Sequence, residues 1–103
     1  MKLFNQHSLP QIEVELKIIG FFLDEYVNVV TRITIRSDSS LADIVRAAYD
    51  MGIVSMRLSS YLNTNLRELS VLLNGEAFSS GGFRRTCLQN SDSVLIFSPL
   101  SGG

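Results

Sequence analysis

From Ile12 to Ile18 the chain alternates strictly, with Ile12, Val14, Leu16 and Ile18 apolar and Glu13, Glu15 and Lys17 charged. A period of two with β-branched residues predicts a strand with one buried face. Asp24 and Glu25 mark a turn. Val29, Thr31, Ile33 and Ile35 then alternate with Val30, Arg32, Thr34 and Arg36, which predicts a second strand. The short link between the two predicts an antiparallel hairpin. Ser37 to Ser40 interrupt the pattern. Ser40 suits a helix N-cap, with Asp43 three residues on as its capping partner. Leu41, Ile44, Val45, Ala48 and Tyr49 follow at helical spacing and Gly52 suits the stop, so a helix from Leu41 to Met51 is expected against the buried face of the hairpin.

Residues 53–67 fit two patterns. Leu58, Tyr61, Leu62 and Leu66 form a helical stripe, whereas Val54, Met56 and Leu58 fit a short strand. The expectation there is a loop with one or two helical turns. Leu69 to Leu73 is a short apolar run closed by Asn74-Gly75, the pair that tolerates the positive φ of a tight hairpin turn. An edge strand around Glu76–Phe78 follows, then a flexible loop at Ser79-Ser80-Gly81-Gly82. A turn at Asn90-Ser91-Asp92 leads into a last strand from Ser93 to Phe97, and Pro99 ends its ladder. The order β-β-α-(coil or helix)-β-β-β predicts an α+β roll.

Composition narrows the function. The chain of 103 residues is 46% apolar and 18% charged, the balance of one globular domain. It divides into an arm, 1–10, a folded body, 11–98, and a flexible tail, 99–103. Nine basic against ten acidic residues give a net charge of −1, which argues against a nucleic-acid footprint. The apolar patch Ile18–Leu23 is far below the ~20 residues of a bilayer span. The opening MKLFNQHSLP has no apolar core of a secretory signal. A cytoplasmic protein with no membrane partner is expected. With one cysteine and one histidine the chain has no parts for an internal disulfide, a cysteine-rich metal site or a self-contained hydrolase. His7 reads as a solvated residue of the arm. Cys87 reads as a small buried hydrophobe, with a persulfide carrier as the functional alternative. Arg84-Arg85 reads as a solvated loop, and Glu13, Glu15, Asp24 and Glu25 as the exposed face and turn of the hairpin.

The remaining chemistry lies in the close Phe97-Ser98-Pro99-Leu100-Ser101-Gly102-Gly103. Six extended residues from Ser98 reach roughly 20 Å, at ~3.3 Å each, far enough to enter a pocket on another protein. Glycine permits close approach in a narrow channel. Ser101, Gly102 and Gly103 bury little, and ordering each residue costs ~1–2 kcal/mol, so a mobile tip is expected in the free protein. Such a tail presents a carboxylate, ionised at neutral pH with a pKa of about 3.5. A carboxylate is a poor electrophile and needs activation. Gly81-Gly82 lacks the spacing and the lysine of a phosphate-binding loop, so an ATP-using partner must supply it.

The predicted order, the segment Val71-Leu72-Leu73-Asn74-Gly75-Glu76 and the close Asp92 to Gly103 together resemble the MoaD/ThiS family of ubiquitin-like sulfur carriers. The Phe-x-Pro-aliphatic-small-Gly-Gly ending is nearer to MoaD, the small subunit of molybdopterin synthase. The turn before the last strand departs from the family's acidic-Gly-Asp, having Asn90-Ser91-Asp92 in its place. The resemblance implies a β-grasp fold with a mixed four- to five-stranded sheet on one main helix, and a carrier that is not itself an enzyme. It implies that Gly103 is adenylated by a MoeB/ThiF-type enzyme using ATP and Mg²⁺ and then converted to a thiocarboxylate by a sulfur donor protein. The carrier itself binds no cofactor. A MoaE-like large subunit would take up the tail, with Gly102 as its slim segment, Pro99, Leu100 and Ser101 directing and anchoring it, and Phe97 on the docking face. ThiS-like delivery to thiazole synthase is the alternative within the class. A ubiquitin-like protein modifier or interaction module is the alternative outside it.

Overall fold

The computed structural model describes residues 10–65, 68–78 and 86–98. Strand β1 (Gln11–Phe22) and strand β2 (Glu25–Arg36) form a hairpin of twelve consecutive antiparallel pairs, from Gln11 opposite Arg36 to Phe22 opposite Glu25. Both strands run further toward the turn than their alternation predicts. Leu23 and Asp24 make the two-residue turn, with φ of 53° and 65°. Helix α1 (Leu41–Asp50) starts as expected: the Asp43 carboxylate accepts the Ser40 backbone N–H at 2.9 Å and its hydroxyl at 3.1 Å. The bonds satisfy one orphan donor at the helix start and place an anion near its positive end.

A second helix, α2 (Met56–Asn65), stands beside the main one and occupies most of the segment read as a loop with one or two turns. Ser55 caps it, its hydroxyl accepting the Leu58 N–H at 3.0 Å, and the Asn65 amide donates to the Tyr61 carbonyl at 2.8 Å at the other end. Only Ser59 and Leu62 are buried on it, so a helix held by its caps carries little periodic signal.

Strands β3 (Ser70–Leu73) and β4 (Glu76–Ala77) flank the Asn74-Gly75 turn, and β5 (Ser93–Phe97) closes the sheet. The strand order is β2-β1-β5-β3-β4, with β1 and β5 parallel and every other neighbour antiparallel. Leu16, Ile18, Ile33, Val94 and Ile96 of the sheet pack against Leu41, Ile44, Val45 and Ala48 of α1 and Leu62 of α2, all fully buried. This is the ubiquitin-like β-grasp roll, a five-stranded mixed sheet on two helices. All seven elements lie within 11–98. Residues 1–9, with His7, and residues 79–85, with Arg84-Arg85, lie outside the described residues.

Two turns are joined through side chains. The Asn74 amide donates to one oxygen of Asp92 at 2.9 Å, and its oxygen accepts the Ser93 N–H at 2.8 Å. The other Asp92 oxygen accepts the Gln89 N–H at 2.7 Å. Ser91, at φ 72°, is a left-handed residue that carries a Cβ at that corner, where glycine would be free of strain.

Candidate functional site

The register separates the two faces of the sheet. Val94 and Ile96 point into the core, so Ser93, Leu95 and Phe97 face the other way, beside Glu15, Lys17 and Ile19 of β1. Leu72 and Ser70 of β3 and Ala77 of β4 continue these rows on one side, and Val30 and Asn28 of β2 on the other. The outer face therefore has two halves. Near the start of β5 it is polar: Ser93 donates to Glu15 at 2.9 Å and Arg32 pairs with Glu13 at 3.1 Å. Near the end of β5 apolar side chains prevail, with Leu72, Leu95, Phe97 and Ile19 half-buried among Lys17, Asn28 and Ser70. Val30, Phe21 and Tyr26 extend this half and are 51–59% exposed. Phe21 and Tyr26 stack edge to face with ring centroids 5.4 Å apart, on the part of the hairpin that runs past the end of β5. Exposed apolar side chains gathered at one end of a sheet face are a common mark of a docking site.

The chain leaves the sheet at the same end. Ser98 follows Phe97, its N–H bonded to the Ile19 carbonyl at 3.2 Å. It passes across Gly20, and the contact is too close for any other residue: a Cβ at position 20 would lie 2.8 Å from the Ser98 carbonyl oxygen and 3.0 Å from its nitrogen. Gly20 also has φ of 132°, which L side chains rarely adopt. Sequence reasoning passed over Gly20. A lone glycine inside a strand pattern is the signal that marks such a close approach. The Gly20→Ala variant is expected to lose about 2 kcal/mol of stability through backbone strain and the shift forced on Ser98. Denaturant unfolding measures it, and an unchanged midpoint would remove Gly20 as the seat of the departing strand.

Of the residues singled out from the sequence, Phe97 lies half-buried on the outer face, opposite Ile19 and Ser70. Pro99, Leu100, Ser101, Gly102 and Gly103 lie outside the described residues. Cys87 requires a correction: it is exposed, with its Sγ 3.8 Å from the Asp38 carbonyl. Leu88 takes the inward place instead, 2% exposed with its N–H on the Ser39 carbonyl, and the extended backbone turns its neighbour outward. Glu13, Asp24 and Glu25 are exposed and Glu15 is half-buried, in keeping with the outer face and turn of the hairpin. Beside them Asp38 is held below the ordinary aspartate range by hydrogen bonding to Arg36, an exposed pair at the far end of β2. Among the described residues no His, Cys, Asp or Glu groups of three or more are placed to hold a metal ion, and no helix is long and apolar enough to cross a membrane.

The architecture is that of ubiquitin-like β-grasp proteins. SAMP1 from Haloferax volcanii superposes with a TM-score of 0.59 at 21% identity, covering 88% of this chain and 99% of that one. The Haloferax volcanii HVO 2177 protein superposes with a TM-score of 0.53, also at 21% identity, covering 90% and 88%. Haptocorrin in complex with Cbi contains a similar unit, with a TM-score of 0.58 and 16% identity over 88% of this chain and 25% of that one. No protein-family model matches the chain, and no curated protein sequence does.

Proposed function

We propose that this protein is a sulfur carrier whose Gly103 carboxylate is the reactive group and whose apolar sheet face docks the enzymes that load and discharge it. The observation that carries the reading is the coincidence of two features at one end of the sheet: the apolar half around Phe97, and the departure of the chain over Gly20 toward the Ser101-Gly102-Gly103 close. A partner that covers the face thereby stands where the chain leaves the sheet at Ser98.

In the loading reaction the carboxylate oxygen attacks the α-phosphorus of ATP, held with Mg²⁺ by a MoeB/ThiF-type partner, and pyrophosphate leaves. Sulfide from a sulfur donor protein then displaces AMP, leaving a thiocarboxylate. The chain itself offers the carboxylate, a slim Gly102 approach, the Pro99–Ser101 segment to direct it and the docking face. The Phe-x-Pro-aliphatic-small-Gly-Gly close favours delivery to a MoaE-like large subunit in molybdopterin synthesis, in the cytoplasm, over ThiS-like delivery to thiazole synthase.

Intact mass after incubation with ATP, an adenylating enzyme of this class and sulfide tests the reading. Exchange of one oxygen for sulfur at Gly103 is expected. Adducts on lysines of other proteins would replace it with a protein modifier, and a change confined to Cys87 with a persulfide carrier. Docking is tested by Phe97→Asp. Phe97 is half-buried and faces away from the core, so the fold should persist while affinity for the adenylating enzyme falls by about 2–4 kcal/mol, the size of a lost interface anchor. Calorimetric titration showing unchanged affinity would move the interface off this face.

A further inference from the structure

We propose that the free edge of β2 is a pairing surface for a second copy of this chain, joining two sheets about a two-fold axis at Val30. The direction of the backbone groups follows from the ladder. On β1 the odd-numbered residues serve β5: the Glu15 N–H bonds to the Asp92 carbonyl, and the Glu13 and Ile19 carbonyls accept the Ser91 and Ser98 N–H groups. The even-numbered residues of β1 therefore serve β2, where they lie opposite odd-numbered ones, as Leu16 lies opposite Thr31. Tyr26, Asn28, Val30, Arg32, Thr34 and Arg36 are left with N–H and C=O aimed away from the sheet.

The two edges of the sheet are built differently. The β4 edge is two residues long, a length that gives an incoming strand little to pair with. The β2 edge is twelve residues long, unbroken by any bulge, and rich in valine, isoleucine and threonine. It holds no proline and no lysine. Its two arginines are already neutralised within the chain, Arg32 by Glu13 and Arg36 by Asp38, so they guard the edge poorly. Among the described residues no backbone pairs with it.

Of the registers that pair the outward-bonding residues with one another, two use the most of the strand, one centred on Val30 and one on Thr31. With Val30 opposite Val30, the outward-bonding residues exchange hydrogen bonds in the close-pair pattern. Asn28 then faces Arg32, Tyr26 faces Thr34, and the Asp24 turn of each copy lies beside Arg36 of the other. No like charges meet. Sliding by two residues, with Thr31 opposite itself, sets Asp24 against Asp38. The favoured register also brings the two Val30 side chains, each 59% exposed in one copy, against one another.

Sedimentation equilibrium of the full chain, from about 10 μM to about 1 mM, tests this, and a dimer with a micromolar dissociation constant is expected. Val30→Pro removes an outward N–H and no internal one, and edge strands tolerate proline. It should raise the dissociation constant about a hundredfold, because two intermolecular bonds, one from each copy, are lost at roughly tenfold each. Val30→Arg places like charges across the axis at an exposed site; it should weaken the dimer as well, and it decides the matter if the proline variant fails to fold. A wild-type chain that stays monomeric to 1 mM, or a dimer unchanged by Val30→Arg, would overturn the proposal.

Discussion

A chain lacking Gly103 is expected to fold as the full chain does and to accept no AMP from an adenylating partner. The last described residue, Ser98, is held on the sheet by Ile19, and Ser101 to Gly103 carry almost no apolar surface to bury. Removing one glycine should therefore leave the unfolding midpoint in place. It retracts the carboxylate by ~3.3 Å, beyond the tolerance of a reaction that needs its atoms within ~3–3.5 Å. Gly102→Val complements this, since it keeps the length and adds a branched side chain one residue from the reacting carbon. Loading should fall by a factor of about 100 or more, the usual result of misplacing a reacting group by an ångström. Thermal unfolding and thiocarboxylate formation measured on the same variants separate fold from function. Normal loading of either variant would show that the tail is not threaded through a channel sized for glycine, and the sulfur-carrier reading would fall with it.

How much of this was legible from the sequence depends on the range over which each feature is encoded. The hairpin, α1, the Asn74-Gly75 turn and β5 were all readable, because alternation, a capping pair and turn chemistry act within a few residues. Alternation underestimated the hairpin for a physical reason. Ile19, Phe21 and Val30 are apolar on the outer face, so the period fades where the docking half of the sheet begins. The place of Phe97 at the end of β5 was legible from the closing strand. Gly20 was not, because its constraint comes from Ser98, 78 residues away. Cys87 was misplaced because a lone cysteine has no periodic context, and its neighbour Leu88 holds the inward position. Helix α2 was half seen, its cap at Ser55 outweighing a weak apolar stripe.

The largest stability loss from a single polar group is expected at Asp92. Its side chain is nearly buried, at 9% exposure, and the two oxygens serve different parts of the fold. One accepts the Asn74 amide from the β3–β4 turn, and the other accepts the Gln89 N–H at the start of its own turn. Its backbone carbonyl meanwhile accepts the Glu15 N–H of β1. Asp92 thus ties the entry of β5, the strand that carries the tail, to strands on both sides. Asp92→Ala keeps the backbone bond but takes the acceptor away from two donors, which lie on the exposed residues Asn74 and Gln89 and can turn to water. A hydrogen bond to a charged group contributes ~1.5–3 kcal/mol and hydration of the freed donors returns part of it, so the loss should come to about 2–3 kcal/mol. Asp92→Asn is the sharper test. Both carboxylate oxygens act as acceptors, and an amide offers one acceptor and one donor, so in either orientation an N–H group meets another N–H. Its size matches aspartate, yet it should recover less than half of the loss. Denaturant unfolding of the two variants checks this, with the slope watched for constancy. A stable Asp92→Asn would mean that the second acceptor is dispensable and that the Asn74 bond alone holds the entry of β5.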